Sequence, residues 1–365
     1  MKIENIETFL IKIPFDTGAE NRQLTGTEWP TLNYVFIRID TDQGISGWGD
    51  AFAYGAAPAT LATVKEMIAP SLIGMDARNI AGIHQRLQQD NHIWGRYGIT
   101  MFAISGIDIA LWDIAGKAAG MPLHQLLGGP VREQLPAYAS FFRYGDPDQV
   151  AAATERALAA DFQYIKLHET GVREIETARE SGGDNLAIML DVNCPWSFDE
   201  ALAMAARLQH VGLYWFEEPI FPPEDFATLA RLQRESGLSI AAGENACTAY
   251  EFKRMFDAGA VTYAQPSVTK VGGISQMLKI AALAETAGVK MMPHSPYFGP
   301  GFLATLHVAA AMRDDSLIEY FWLSPEALPF GDLTLPDQAH FAVPQGPGLG
   351  ADPDPDVLKD YAAHD

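Results

Sequence analysis

Seven polar residues recur in phase with the short apolar runs of this chain, and that spacing restricts its fold more than any other feature. Lys166, Asp191, Glu217, Glu244, Ser267, His294 and Glu319 stand at the C-terminal ends of successive runs, at intervals of 25, 26, 27, 23, 27 and 25 residues. The runs are "YIKLHE", "AIMLDVN", "LYWFEEP", "SIAAGE", "VTYAQPS", "VKMMPHS" and "LIEYF", preceded by "LPAYASF". Ala-rich amphipathic segments such as "FDEALAMAARLQHVG" and "ISQMLKIAALAETAG" lie between them. Each interval suits one strand and one returning helix, so the pattern predicts parallel strands joined by helical crossovers. Eight runs predict an α/β fold closed into a (β/α) barrel rather than an open sheet. In such a barrel the C-terminal strand ends converge on one mouth, which makes the phased residues candidates for a single site.

The flanks read differently. "IENIETFLIKI" and "NYVFIRIDT" alternate as half-buried strands, "DQG" beyond Thr41 is turn chemistry, and Thr60 to Leu72 and Ser105 to Ala119 carry helical spacing. "GGPVRE" after Leu127 ends that region. Beyond Phe321 the chain turns rich in Pro, Gly and Asp, too poor in apolar surface for a domain of its own. The expected organisation is an N-terminal α+β capping domain over 1–125, a barrel over 126–325, and a C-terminal segment over 326–365 that packs back on the cap.

Charge narrows the partners. A formal net charge of -21 argues against nucleic acid, whose phosphates need clustered Lys and Arg. It also repels small anions at long range, so an anion site must carry its own local positive charge. Two cysteines, Cys194 and Cys247, provide no disulfide framework and neither has a basic neighbour in sequence, so both read as inert core thiols in a reducing cytoplasm. Charged residues interrupt the first fifteen positions, which spoils a signal peptide, and no uninterrupted apolar run approaches a membrane span.

Asp191, Glu217 and Glu244 end three consecutive runs. Crowded carboxylates repel one another unless a cation lies between them, and all-oxygen ligation favours magnesium. In "FEEP", period two puts Glu217 on the face of Trp215 and turns Glu218 away, so Glu217 is the expected ligand. Lys166 and His168 are likewise two apart and share a face.

The segments "AISGIDIALWDIAGKAAGMPLHQLLGG", "LDVN", "FEEP", "GEN", "KVGG", "GISGWGDAF" and "PQGPGLG" together resemble the enolase superfamily, most closely its mandelate racemase and muconate-lactonizing branch. The resemblance runs almost from end to end. It implies an enolase-type barrel with its capping domain, Mg2+ on Asp191, Glu217 and Glu244, a homo-oligomer, and abstraction of the proton α to a carboxylate to give an enediolate. Lys166, His168, His294 and Glu319 become the candidate catalytic residues, with Lys166 touching the substrate carboxylate and Glu319, if protonated, donating to an enediolate oxygen.

Two departures shape the reading. Relatives in this branch carry Lys-x-Lys on the second barrel strand, where this chain has Lys166-x-His168. On the sixth strand, "QPSVTKVGG" has Ser267 where relatives carry lysine or aspartate. A two-lysine racemase is thereby disfavoured, and His294 lacks the aspartate of a His-Asp dyad. The expected activity is a magnesium-dependent lyase that eliminates a β-oxygen from a small carboxylate, a sugar-acid dehydratase in which His168 takes the α-proton and His294 protonates the leaving oxygen. The alternatives are a cycloisomerase opening an anhydro-sugar acid, or a racemase using both histidines. A zinc amidohydrolase barrel would want His-x-His on the first strand, and "LPAYASF" has none. A sugar-binding barrel would not need three converging carboxylates. Substrate choice is expected from the cap loops 16–29 and 51–57, with Arg22, Trp29 and Tyr54. His84, His92, His124, His210, His307, His340 and His364 fall outside the phase and read as structural or surface residues.

Overall fold

A computed structural model describes residues 1–19, 29–312 and 315–363. Arg22, His364 and most of the loop 16–29 lie outside the described residues. The first strands, β1 (Ile3–Asp16), β2 (Thr31–Thr41) and β3 (Ser46–Ala51), form an antiparallel sheet in the order β1-β2-β3. Against β3 lies a long helix, Ile99–Ala119, which begins six residues before the stretch whose periodicity announces it. Its approach is backbone on backbone: a Cβ at Gly49 would stand 2.0 Å from the Gly106 carbonyl oxygen. That is why "GISGWGDAF" and "AISGID" carry glycines at these positions. By length and composition this helix could cross a bilayer, but it is mostly buried inside the fold.

The expected helix Thr60–Leu72 is broken into a helix (Ala57–Ala62), a wide π-helical turn (Thr63–Ile68) and a single tight turn (Ala69–Ser71). Pro70 cannot donate into a continuing helix, which accounts for the final break. A further helix, Ile80–Asp90, escapes the sequence reading; Asn79 caps its start by accepting from the Gly82 amide at 3.2 Å.

The second unit is a curled parallel sheet of eight strands. In chain order they are β4 (Gln134–Ser140), β5 (Tyr164–Leu167), β6 (Ala187–Asp191), β7 (Leu213–Glu217), β8 (Ile240–Ala242), β9 (Tyr263–Ala264), β10 (Lys290–Met291) and β11 (Ile318–Phe321). Neighbours run β10-β9-β8-β7-β6-β5-β4-β11, every pair parallel. Where β10 meets β11 the contact runs through side chains and loop amides: the Leu317 amide donates to Met292 Sδ at 3.3 Å and the Ser295 amide to Glu319 Oε2 at 3.2 Å. Crossover helices start on Asp146, Asp225 and Thr248, whose side chains accept from first-turn amides, and stop on left-handed Gly237 and Gly288.

Strand residues alternate between two separate apolar clusters. Ile165, Ile188, Leu190, Phe216, Ile240 and Ile318 face the helices, whereas Tyr138, Met189, Trp215, Ala241, Tyr263, Met292 and Leu317 fill the barrel interior. Above that plug, two residues further along each strand, stand Ser140, Asp191, Glu217, His294 and Glu319. The phase of the polar residues is therefore the strand period itself, continued one step past the packed core.

The tail laces both units together. β12 (Ser324–Pro325) pairs with β1, β13 (His340–Ala342) pairs antiparallel with β4, and the Ala363 amide donates to the Leu10 carbonyl. Asp113 of the long helix is buried and accepts from the Trp48 and Leu349 amides at 2.9 and 2.8 Å, with Lys117 at 2.7 Å. The motif "PGLG" meets this carboxylate: Gly348 has φ +66°, and a Cβ there would stand 2.0 Å from Asp113 Oδ1. Gly348→Ala is expected to cost about 2–4 kcal/mol, from the left-handed backbone and the overlap together. A lower thermal midpoint by scanning calorimetry, with magnesium binding retained, is the result to look for.

Candidate active site

Lys166 lies within β5 and is almost fully buried, with Nζ 2.8 Å from Glu319 Oε1, 3.0 Å from Glu217 Oε1 and 3.4 Å from Asp191 Oδ2. It sits at the floor of the mouth, 5.7 Å from the centroid of the Tyr138 ring in the plug. Lys166 is in register with Ser140 on the neighbouring strand and is surrounded by carboxylates. Burial alone would pull its charge off; Glu217 and Glu319 reverse that and hold the ammonium strongly protonated.

Ligand oxygens of Asp191, Glu217 and Glu244 lie within 4.8 Å of one another. Asp191 ends β6 and Glu217 ends β7, paired in register across the ladder. Glu217 Oε2 accepts from Trp215 Nε1 at 2.8 Å, whereas Glu218, with φ +44°, points elsewhere and accepts from the Gly243 amide at 3.0 Å and Cys194 Sγ at 3.2 Å. Burial, then the charge of Asp191, pushes the Glu217 carboxyl well up. Asp191 would be raised by burial too, but Lys166 and then His168 bring it below the usual carboxylate range. Three crowded carboxylates, Asp191 and Glu217 buried and Glu244 partly so, offer only oxygen and fit a hard divalent cation that takes several oxygen ligands.

Glu244 reaches the cluster by a different route. β8 ends at Ala242, and Ala241 is the plug residue, so strict alternation would put residue 243 in the mouth. Gly243 has φ +135° and turns the chain so that Glu244 faces inward; a Cβ on Gly243 would meet Phe252 at 2.8 Å. Glu244 Oε2 is 2.7 Å from His294 Nε2. Burial raises this carboxyl, but His294 and then Lys270 overcome it and hold it at about 2.

The two histidines are fixed by their other ring nitrogens. His168 Nδ1 faces the Phe141 carbonyl, and its Nε2 is 3.2 Å from Asp191 Oδ2. His294 Nδ1 is 3.1 Å from the Tyr297 hydroxyl, which is 2.6 Å from Ser267 Oγ, itself 3.1 Å from Thr269 Oγ1. His294 therefore has a buried hydroxyl relay where a dyad would have an aspartate. Ser267 is at the site, and Tyr297 carries its contact to the ring. Tyr297 had no signal in the strand phase because it lies in the loop beyond β10.

Glu319 accepts from Lys166 and from the Ser295 amide. Burial raises it, and Lys166 and His294 more than offset that, so it is held ionised and accepts hydrogen bonds. In these contacts Glu319 is an acceptor, and the donating role expected of it would need it protonated. A strand-by-strand reading does not show the salt bridge from Lys166.

His168, Asp191, Glu244, His294 and Glu319 line one cavity of about 360 Å³, roofed from the cap by Trp29, Phe52 and Tyr54. Tyr54 stacks edge-on with Trp29 at 4.5 Å, and its hydroxyl donates to the Pro296 carbonyl at 3.0 Å. Lys270, Asn193 and Asn245 also line it, and none of them was a site candidate from the sequence. Cys194 is a wall residue rather than a core thiol; burial and then Glu218 push its thiol far up, so it is unreactive as a nucleophile. Of the out-of-phase histidines, His84 bonds the Gly272 carbonyl at 3.0 Å and His124 stacks on His307 in the core.

Known proteins resemble this chain across both of its units. Residues 149–357 match the enolase C-terminal domain-like family, and residues 16–128 match the mandelate racemase / muconate lactonizing enzyme N-terminal domain. The chain is 32% identical over 346 residues to an arabinonate dehydratase of Saccharolobus solfataricus, covering 90% of this chain and 91% of that one. It is 33% identical over 384 residues to a D-galactarolactone cycloisomerase of Agrobacterium fabrum, covering all of both. A solved structure of a racemase from Streptomyces coelicolor A3(2) with bound magnesium superposes with a TM-score of 0.88 at 30% identity, over 99% of this chain and 100% of that one. A capped barrel, an acidic triad at its mouth and matches that span both units lead to one conclusion: the chain is a member of the mandelate racemase / muconate lactonizing enzyme family of the enolase superfamily.

Proposed function

We propose that this protein is a magnesium-dependent sugar-acid dehydratase, which removes the proton α to a carboxylate and expels the β-oxygen. The observation that carries it is the pair of histidines that line one cavity, each anchored at Nδ1 by a different kind of partner. The Phe141 carbonyl can only accept, so a neutral His168 keeps its proton on Nδ1 and its lone pair on Nε2, as a base requires. Glu244 can only accept, so His294 keeps a proton on Nε2 while the Tyr297 hydroxyl serves Nδ1, as an acid requires. His168 then takes the α-proton, the C–O bond at the β-carbon breaks, and His294 gives its proton to the departing oxygen. The enol left behind tautomerises to a 2-keto-3-deoxy acid. When the departing oxygen belongs to a ring, the same proton transfers open the ring and the net reaction is cycloisomerisation.

Asp191, Glu217 and Glu244 are the residues that would hold magnesium, which when bound supplies Lewis-acid charge to the substrate carboxylate. Lys166 is a positioning residue: its ammonium holds three carboxylates close together at the floor of the site. Trp29, Phe52 and Tyr54 give the cavity an apolar wall on its cap side. A cytoplasmic location belongs to the same reading, and both cysteines are free thiols.

A second reading is favoured by one contact. His168 Nε2 also faces a carboxylate, Asp191 Oδ2, so both its ring nitrogens are placed to donate, and the roles of the two histidines would then be exchanged. The activity itself is tested by incubating aldonic, uronic and anhydro-aldonic acids with enzyme and magnesium, with and without EDTA, and following 2-keto acid formation. Conversion of none of these acids would exclude the proposal. The relay gives a narrower expectation: Tyr297→Phe should lower kcat about 10–100-fold with little change in KM, because the ring of His294 loses its orienting partner.

A further inference from the structure

We propose that Lys270 recognises a second anionic group at the far end of the substrate, so that the preferred ligand is a dicarboxylic sugar acid rather than a monocarboxylic one. The inference rests on the sugar-acid reading above and names the substrate class within it.

Lys270 is only 7% exposed, yet it lines the cavity. The other basic side chains of the site are committed: Lys166 to three carboxylates, His168 to Asp191 and His294 to Glu244. Among the described residues, the Lys270 ammonium has no carboxylate within salt-bridge distance, and its close contact is the face of the Phe52 ring, 4.6 Å from the centroid. An aromatic face answers part of the charge of a desolvated ammonium but cannot accept its hydrogen bonds as a carboxylate would. A buried cation in a cavity wall, short of an acceptor, is a complementary surface for an anion.

Its place in the fold says which anion. The loop carrying it leaves β9 and is clamped to the cap: the Phe52 amide donates to the Thr269 carbonyl at 3.3 Å, the Gly272 amide to Ser105 Oγ at 2.8 Å, and the Ser275 amide to Asp108 Oδ2 at 2.9 Å. Lys270 thus borders the cavity against the cap, under Phe52, while the carboxylate triad lies at the strand ends. Its charge reaches Glu244 at longer range without an ion pair. A substrate with its reacting carboxyl at the triad would present its tail toward Lys270. With an overall charge of -21, a dianion would be repelled more strongly than a monoanion, and a cation in the cavity wall would offset that locally.

Matched pairs of hexaric and hexonic acids, galactarate with galactonate and glucarate with gluconate, test this in wild type, Lys270→Met and Lys270→Arg. Steady-state kinetics with magnesium and calorimetric titration of each acid are the two readouts. Expected is a wild-type preference for one of the dicarboxylic acids that falls about 30-fold or more in Lys270→Met, chiefly through KM, and is largely kept in Lys270→Arg. A preference ratio unchanged by Lys270→Met, or a wild type that favours the hexonic acids, would overturn the assignment. If the wild type turns over no sugar acid, the dehydratase reading falls by itself. Calorimetry then decides Lys270: a binding preference for hexaric acid lost in Lys270→Met supports it, and no preference sinks it.

Discussion

Asp191→Asn, Glu217→Gln and Glu244→Gln should each lower turnover by on the order of 10³-fold or more while the protein stays folded. Each replacement keeps the shape of the side chain and removes one oxygen charge from a group whose ligand atoms lie within 4.8 Å of the other two. Packing is spared: in Glu217→Gln the side-chain amide oxygen can still accept from Trp215 Nε1, and the interior plug below is untouched. Glu217→Gln removes a charge that burial and Asp191 disfavour, so its thermal midpoint in EDTA should stay level or rise, whereas Asp191→Asn and Glu244→Gln each lose partners that favour the charge, Lys166 and His168 or His294, and should melt lower. Calorimetric titration should show magnesium binding weakened or lost in all three, and EDTA should abolish wild-type turnover reversibly. Glu218→Gln is the control, since Glu218 bonds the Gly243 amide and Cys194 instead of the cluster. If it loses magnesium while Glu217→Gln keeps it, the alternation argument for β7 is wrong.

The division of labour between the histidines predicts a split between partial reactions. In D2O, His294→Asn should still exchange the substrate α-proton, yet lose elimination by about 10²–10⁴-fold, because only the leaving oxygen is deprived of its proton donor. His168→Asn should lose both exchange and elimination by a comparable factor. Lys166→Ala should lose both as well. It leaves Asp191, Glu217 and Glu319 without the ammonium that balances them, and breaking one side of a buried ion cluster is costly. Exchange that survives in His168→Asn and vanishes in His294→Asn would reverse the two roles, as the His168–Asp191 contact allows. Deuterium recovered in substrate of inverted configuration would mark a racemase. Exchange unaffected in all three variants would rule out enolisation altogether. Proton NMR of recovered substrate, beside a 2-keto acid assay, reads every arm.

The barrel and most of its mouth were legible in the residues because strand alternation is local. Once Trp215 is packed inside, Glu217 two residues on must face the mouth, and the same step leads from Met189 to Asp191, Met292 to His294 and Leu317 to Glu319. Side-chain partnerships between strands carry no such period. The meeting of Lys166 with Glu217, Glu319 and Asp191 therefore had to be seen in the folded chain.

Local pattern determined the order of strands and helices, the convergence of polar residues on one mouth, and the choice of Glu217 over Glu218. Only the tertiary structure decided three other matters. Gly243, at φ +135°, shifts Glu244 into the triad by breaking the very alternation that places its neighbours. Tyr297 joins His294 to Ser267 across two strand-end loops, a hydroxyl relay invisible to spacing because loop residues have no fixed direction. Lys270 becomes a cavity residue because the cap presses Phe52 onto its loop. Periodicity specifies where a side chain points from its own strand, whereas the charge it meets depends on residues that are distant in the chain and brought close only by folding.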